Sequence, residues 1–173
     1  MNLDAGDAAL IRIVDAALAE AARQSGPWLV CRPGCTQCCL GPFPINQLDA
    51  YRLRQGLSAL DGSDPERAAR VRERARAYAG TDDEPCAALD PATGHCDLYT
   101  ARPLTCRTFG PPVRCGSDAV GVCELCFSGA TDDEIAACEV EIDPDGLESE
   151  LLADREATTG VQEMTTVALA LAS

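Results

Sequence analysis

Apolar residues between positions 7 and 24 fall at Leu10, Ile13, Val14, Ala17, Leu18 and Ala21, while Asp15, Glu20 and Arg23 take the positions between them. Spacing by three and four predicts an amphipathic packing helix, which Gly26-Pro27 stops. A second helix is predicted after Asn46, a side chain suited to accept from the unpaired N–H groups of a first turn, through Leu48, Tyr51 and Leu53 to about Gly56. Ser63-Asp64-Pro65 signals a third, with Pro65 at the first helical position where its missing N–H is harmless, ending at Gly80. From Thr81 to Gly129 the period fades and Pro, Gly, Asp and Cys dominate, so this stretch is predicted to be loop-rich. Helical order returns in TDDEIAACEVEI (131–142), where Thr131 and Glu134 have capping-box spacing, in GLESELLADRE (146–156), and in EMTTVALALA (163–172). The last is apolar and is expected to close the core.

The pattern gives a mainly α fold: a small helical domain, residues 1–173, whose irregular cysteine-rich region, residues 31–126, is expected to be organised by metal. At 173 residues the chain suits one domain, yet only one Trp, three Tyr and three Phe are available as large core fillers. Irregular stretches of this length are uncommon in compact domains unless something orders them. Structural zinc, with an apparent binding free energy of roughly 10 to 16 kcal/mol in small peptides, is strong enough to do so. The five arginines of the third predicted helix, Arg67, Arg70, Arg72, Arg74 and Arg76, read as a solvated face in an acidic protein. The acidic clusters at 81–84 and 143–145 read as turns and caps.

The formal charge of -14 argues against nucleic acid as a partner, since phosphate binding draws on clustered cations. All 14 cations are arginine, which excludes lysine nucleophiles and Schiff bases. The first residues carry acids where a secretory signal needs cations, and no apolar run approaches the ~18 residues of a membrane span, so no membrane partner is expected and the cytoplasm is the expected compartment. In that setting 11 cysteines are expected to be metal ligands or redox groups rather than disulfides, and their odd number points the same way.

Those cysteines are clustered. CRPGCTQCC sets Cys31, Cys35, Cys38 and Cys39 at spacings that let a turn bring successive sulfurs to one ion, with Gly34 free to make that turn. Cys38 and Cys39 are adjacent, and consecutive side chains diverge. Either the two serve neighbouring centres, or one is a ligand and the other packs or acts as a redox thiol. Cys86, Cys96 and Cys106 supply long-range ligands, and Cys123 and Cys126 form a short C-x2-C chelate. These nine are the candidate metal ligands; Cys115 and Cys138 have no assigned role. Dense thiolates repel, so cations are expected beside them, with Arg102 and Arg107 the favoured pair among Arg32, Arg102, Arg107 and Arg114. His95, the only histidine, is read as a ligand, an outer donor or an exposed turn residue.

CRPGCTQCC followed by CDLYTARPLTCRTFG resembles the CxxCxxCC family of zinc- or iron-chelating proteins, the YkgJ-like cysteine-cluster proteins. The family's second element matches at Cys96, Tyr99, Arg102, Pro103, Cys106, Arg107 and Phe109, and the likeness spans residues 31–126. Three residues separate Cys31 from Cys35 where the family name implies two. The resemblance implies chelation of zinc or iron, an iron–sulfur cluster included, without supplying a reaction. The motif is also similar to part of the flagellin lysine methylases, which are much longer; no glycine-rich cofactor loop is present here, and methylation is not carried over. Two functions stay open: a non-enzymatic metal-binding protein, for which a protein partner is one docking target, and a redox or iron–sulfur enzyme component acting with such a partner. Ligand softness does not separate zinc from iron.

Overall fold

The computed structural model describes residues 2–114 and 120–172. In chain order the elements are α1 (Leu3–Ser25), β1 (Pro44–Ile45), α2 (Gln47–Ser63), α3 (Pro65–Ala77), α4 (Leu104–Arg107), β2 (Val113–Arg114), β3 (Val120–Gly121), α5 (Asp132–Ala136), β4 (Val140–Glu141), α6 (Leu147–Thr159), β5 (Thr165–Thr166) and α7 (Val167–Ala172). The fold is mainly α, with two-residue strands and long irregular connections. Two compact units share the chain: Met1–Arg32 with Arg107–Thr158, and Pro33–Cys106 with Thr159–Ser173.

In the first unit, the Asn2 side chain caps α1 by accepting from the Asp4 N–H, and Leu10, Val14 and Ala21 form its wholly buried stripe. Gly26, at φ 48, ends the helix in a conformation that side-chain-bearing residues avoid. Strand β2 lies between β3, antiparallel, and β4, parallel. The helix expected over 131–142 has its capping box at Thr131 and Glu134 but stops at Ala136. Val140 and Glu141 pair with Val113 and Arg114 instead, so strand pairing overrides the local helical pattern. Asp143 is the cap the sequence implies, its carboxylate accepting from the N–H groups of Leu147 and Glu148 at the start of α6.

In the second unit, α2, α3 and α7 pack together around Leu53, Leu57, Val71, Val167 and Leu171. Asn46 caps α2 through the Asp49 N–H, and Asp64 caps α3 through the Arg67 N–H. α7 closes this core as expected, although Thr165 and Thr166 leave the predicted helix to pair with Ile45 and Pro44. α2 runs past Gly56 to Ser63. Gly56 is an approach point rather than a stop: a Cβ there would lie 2.2 Å from the Ala101 Cβ. The missing side chain lets the turn at Tyr99–Ala101, which lies between two cysteines, sit directly on the helix.

Candidate metal centre

Six of the candidate thiols, Cys35, Cys38, Cys39, Cys86, Cys96 and Cys106, lie in the second unit. Backbone bonds between loops bring most of them together. The Cys39 N–H donates to the Thr36 carbonyl, closing a tight turn over Gln37–Cys39. Leu40 bridges Pro85, and the Cys86 N–H donates to the Cys39 carbonyl at 2.7 Å, so the first cysteine loop is stitched to the second. Leu89 bridges Cys96, and the Asp97 N–H donates to the Ala88 carbonyl at 2.7 Å, folding Cys96 back towards Cys86.

Two buried carboxylates fix the rest. Asp97, whose side chain is 2% exposed, receives Arg67 Nε and Arg74 Nη2 of α3, each at 2.5 Å. Arg74 Nε also donates to the Ala87 carbonyl at 2.9 Å, so one guanidinium holds both arms of the Cys86–Cys96 loop. Asp49 on α2, buried against Arg52 at 2.5 Å, accepts the Leu104 N–H at 2.8 Å and so anchors the turn that carries Cys106.

The thiols respond to one another. The Cys39 thiol donates to Cys38 and holds the Cys38 thiol down to about 6, with Arg102 adding to the effect; Cys39 itself is pushed up by that same bond and by burial. Burial pushes Cys96 up to about 11 and Cys106 up to about 12, and neighbouring thiols push the same way: Cys86 acts on both, while Cys96 and Cys38 act on Cys106. Burial also raises Cys86, against which the N–H groups of Ala88 and Leu89 donate to its sulfur and Arg74 supplies positive charge. Cys96 sulfur accepts likewise from the Leu98 N–H. Amide donors and guanidinium groups favour a thiolate over a thiol, the environment a metal-bound sulfur needs.

Arg102 fills the expected role, its charge favouring the ionised forms of Cys38 and Cys96 while its guanidinium lies 3.6 Å from the Tyr99 ring centroid. Arg107 pairs instead with Asp15 of α1 at 2.7 Å. Arg74, assigned to a solvated face in the sequence, takes that place beside Cys86. Arg67 departs from that reading too, whereas Arg72 pairs with Asp61 on the surface. The signal was present: Arg67 and Arg74 are seven residues apart, on one face of a helix, and the carboxylate they grip directly follows Cys96.

Cys31, Cys123 and Cys126 belong to the first unit. Cys126 is buried with Phe127 and Cys138, and the Trp28 and Phe127 rings stack with centroids 6.2 Å apart. The Cys138 thiol donates to the Gln24 carbonyl at 3.5 Å, as a packed thiol does. His95 is exposed in a turn. Cys115 lies outside the described residues.

Among the described residues no three Cys, His, Asp or Glu side chains are arranged to hold an ion as they stand. Coordination therefore requires the sulfurs to close in. The donor set nevertheless suits a soft metal, being half-buried sulfur with amide and guanidinium partners. A helical scaffold carrying loops of gathered thiols defines a cysteine-rich metal-binding domain. Its family is clear: the model for CxxCxxCC, described as "Putative zinc- or iron-chelating domain", matches residues 30–126, more than half of the chain, and the chain belongs to that family. Neither a curated protein nor a solved structure matches the chain. Among the described residues no helix is long and apolar enough to cross a membrane.

Proposed function

We propose that the protein holds zinc or iron in a thiolate centre whose ligands are Cys38, Cys86, Cys96 and Cys106, with Cys39 donating a hydrogen bond to the Cys38 sulfur. The carrying observation is that sulfurs from three separate loops act on one another beside Arg74 and Arg102. Cys86, Cys96 and Cys106 give up their protons on binding while Cys38 is already ionised, and four thiolates around a divalent ion leave a net charge of -2, which the two guanidinium groups and the amide donors offset. Cys35 precedes Cys38 at chelate spacing and is available to a larger centre. The metal is held rather than used for hydrolysis, because zinc hydrolase sites draw on two or three histidines and this chain has one.

A second reading, an iron–sulfur cluster serving a redox partner, is favoured by the number of thiols in this unit, which exceeds the four that one tetrahedral ion takes. Aerobic and anaerobic purification with elemental analysis and a visible spectrum separates the two. Colourless protein with stoichiometric zinc refutes the cluster; brown, oxygen-sensitive protein refutes the zinc site. Metal loss in Cys86→Ser and Cys106→Ser supports the ligand set. Protein free of both metals, with all thiols titrating at once, overturns the proposal.

A further inference from the structure

The CELC segment folds back on itself. The Cys126 N–H donates to the Cys123 carbonyl at 2.9 Å, closing a four-residue turn whose central residues, Glu124 and Leu125, are exposed. A turn of this kind brings its end Cα atoms within about 7 Å, the span a disulfide bridges. The side chains meet as well, the Cys126 thiol donating to the Cys123 sulfur. They differ in access: Cys126 is 2% exposed, whereas Cys123 is half-buried.

Neighbouring segments hold this turn. The Cys123 N–H donates to the Gly110 carbonyl at 3.3 Å. Phe127 follows at φ 59, the one residue besides glycines with positive φ among the described residues, and this bend carries its N–H to the Trp28 carbonyl at 3.2 Å and its ring onto Trp28. Such a backbone is strained for a residue with a Cβ and persists only where its surroundings enforce it. Burial holds the Cys126 thiol protonated, and the N–H groups of Val30 and Cys31 oppose this by donating to its sulfur. Among the described residues no group of three ligand side chains includes the pair, and the nearby Cys138 thiol is turned to the Gln24 carbonyl. Two touching thiols, one reachable and one enclosed, make a dithiol rather than a chelate.

We propose that Cys123 and Cys126 are a thiol–disulfide exchange pair that reacts with small-molecule disulfides and is left as an intramolecular disulfide. This activity shares no sulfur with the centre proposed above. Cys123, after losing its proton to solvent, attacks one sulfur of the incoming disulfide; that S–S bond breaks, a mixed disulfide forms on Cys123, and the first small thiolate leaves and takes up a proton. Cys126 then gives its proton to solvent and attacks the Cys123 sulfur; the mixed S–S bond breaks, and the second small thiolate leaves and is protonated. The two protein thiols are oxidised by two electrons and the external disulfide is reduced to two thiols. The Val30 and Cys31 amides stabilise the charge on Cys126 during the second attack. Excess small thiol runs the same steps backwards and restores the dithiol.

The test treats the full chain, loaded with zinc so that the thiols of the other centre are occupied, with glutathione disulfide, and maps bonds by mass spectrometry of unreduced peptides. Cys123–Cys126 is expected to be the first disulfide formed. Emission of Trp28, the sole tryptophan, should fall in step with it and recover with excess reduced glutathione. Cys126→Ser should stop at the mixed disulfide, with one glutathione on Cys123. Cys123→Ser, at the half-buried position and so the milder variant, should keep its zinc, leave Cys126 unmodified and hold Trp28 emission constant. A first disulfide elsewhere, or glutathione on Cys126 in Cys123→Ser, overturns the pair. Protection of both thiols by zinc, with zinc content falling in Cys123→Ser, overturns it too and makes the pair metal ligands. A chain that takes no zinc refutes the centre proposed above, while the glutathione adduct on Cys123 in Cys126→Ser still decides the exchange pair.

Discussion

Replacing Asp97 by Asn tests whether the arginine helix positions the cysteine loop. The carboxylate is almost wholly buried, while Arg67 and Arg74 are 39% and 24% exposed on their side chains. Breaking a fully buried ion pair costs about 3 to 5 kcal/mol, and an exposed one about 0 to 1. A buried acid held by two partly solvated bases falls between these limits. Asn keeps the shape and one acceptor oxygen but removes the charge that both guanidinium groups share, so a loss of about 2 kcal/mol is expected. Urea unfolding of metal-free protein reads this directly. The second readout is zinc affinity, which should fall because the loop joining Cys86 to Cys96 loses its tether at both Asp97 and, through Arg74, the Ala87 carbonyl. Arg74→Ala should exceed Arg67→Ala in its effect on affinity, since only Arg74 also faces Cys86. A stability loss below about 0.5 kcal/mol, the size of an ordinary surface substitution, with affinity unchanged would refute the positioning argument.

Other outcomes follow from single contacts. In metal-free protein Cys38 should be the first thiol alkylated by iodoacetamide, with a half-point near pH 6; first reaction at Cys86 or Cys106 refutes the Cys39 hydrogen bond as its cause. The sign for stability follows: the depressed Cys38 contributes above the unfolded thiol range, about 8.5, and that contribution is lost as pH falls through about 6. Gly56→Ala gains about 1 kcal/mol in helix propensity but forces a Cβ onto Ala101, so net destabilisation of about 1 to 2 kcal/mol is expected by thermal melting, and a rise in Tm would contradict the close approach. Among the described residues the buried Tyr78 hydroxyl has no hydrogen-bond partner, and the side chain lines a cleft of about 200 Å³ beside Cys86 and Phe43. Tyr78→Phe should therefore stabilise metal-free protein by about 1 kcal/mol in urea unfolding, and a loss of that size would show that the hydroxyl is paired. Zinc binding at pH 7.5, followed by proton release in a weakly buffered titration, should discharge protons from Cys86, Cys96 and Cys106 and almost none from Cys38; a release of four per ion would contradict the low Cys38 value.

The helices were legible because their signals are local. Asn46, Asp64 and Thr131 cap where the sequence places them, and the stripe of Leu10, Val14 and Ala21 is the buried face of α1. What was misread depends on partners distant in sequence. Gly56 looks like a terminator until Ala101 stands against it, and 137–142 look helical until β2 is available to pair. Cys31 reads with Cys35, Cys38 and Cys39 by proximity along the chain, and spacing does not reveal that the Val30 and Cys31 N–H groups donate to the distant Cys126 sulfur, with Pro33-Gly34 turning the chain just after Cys31 and Gly34 at φ 89.

The carboxylates that position the loops also act on the thiols. Asp97 disfavours ionisation of Cys96, and Asp49 does the same to Cys106, adding to burial. At neutral pH the metal-free cluster is consequently mostly protonated, which spares an already acidic chain the repulsion of several thiolates packed together. Arg74 and Arg102 are too few to ionise the group unaided, yet they stand where negative charge accumulates once protons leave. The arrangement therefore carries only the Cys38 thiolate when empty and becomes strongly anionic only when a cation replaces the protons of Cys86, Cys96 and Cys106. Raising pH towards 9 should tighten metal binding through Cys86, Cys96 and Cys106, whereas Cys38 is already ionised well below that range. Removing the Asp49 or Asp97 charge thus has opposing consequences: it eases thiol ionisation but releases the loop that aims the sulfur. If geometry dominates, as the buried ion pairs imply, Asp49→Asn and Asp97→Asn bind zinc more weakly at every pH. If electrostatics dominates, both bind more tightly in the neutral range.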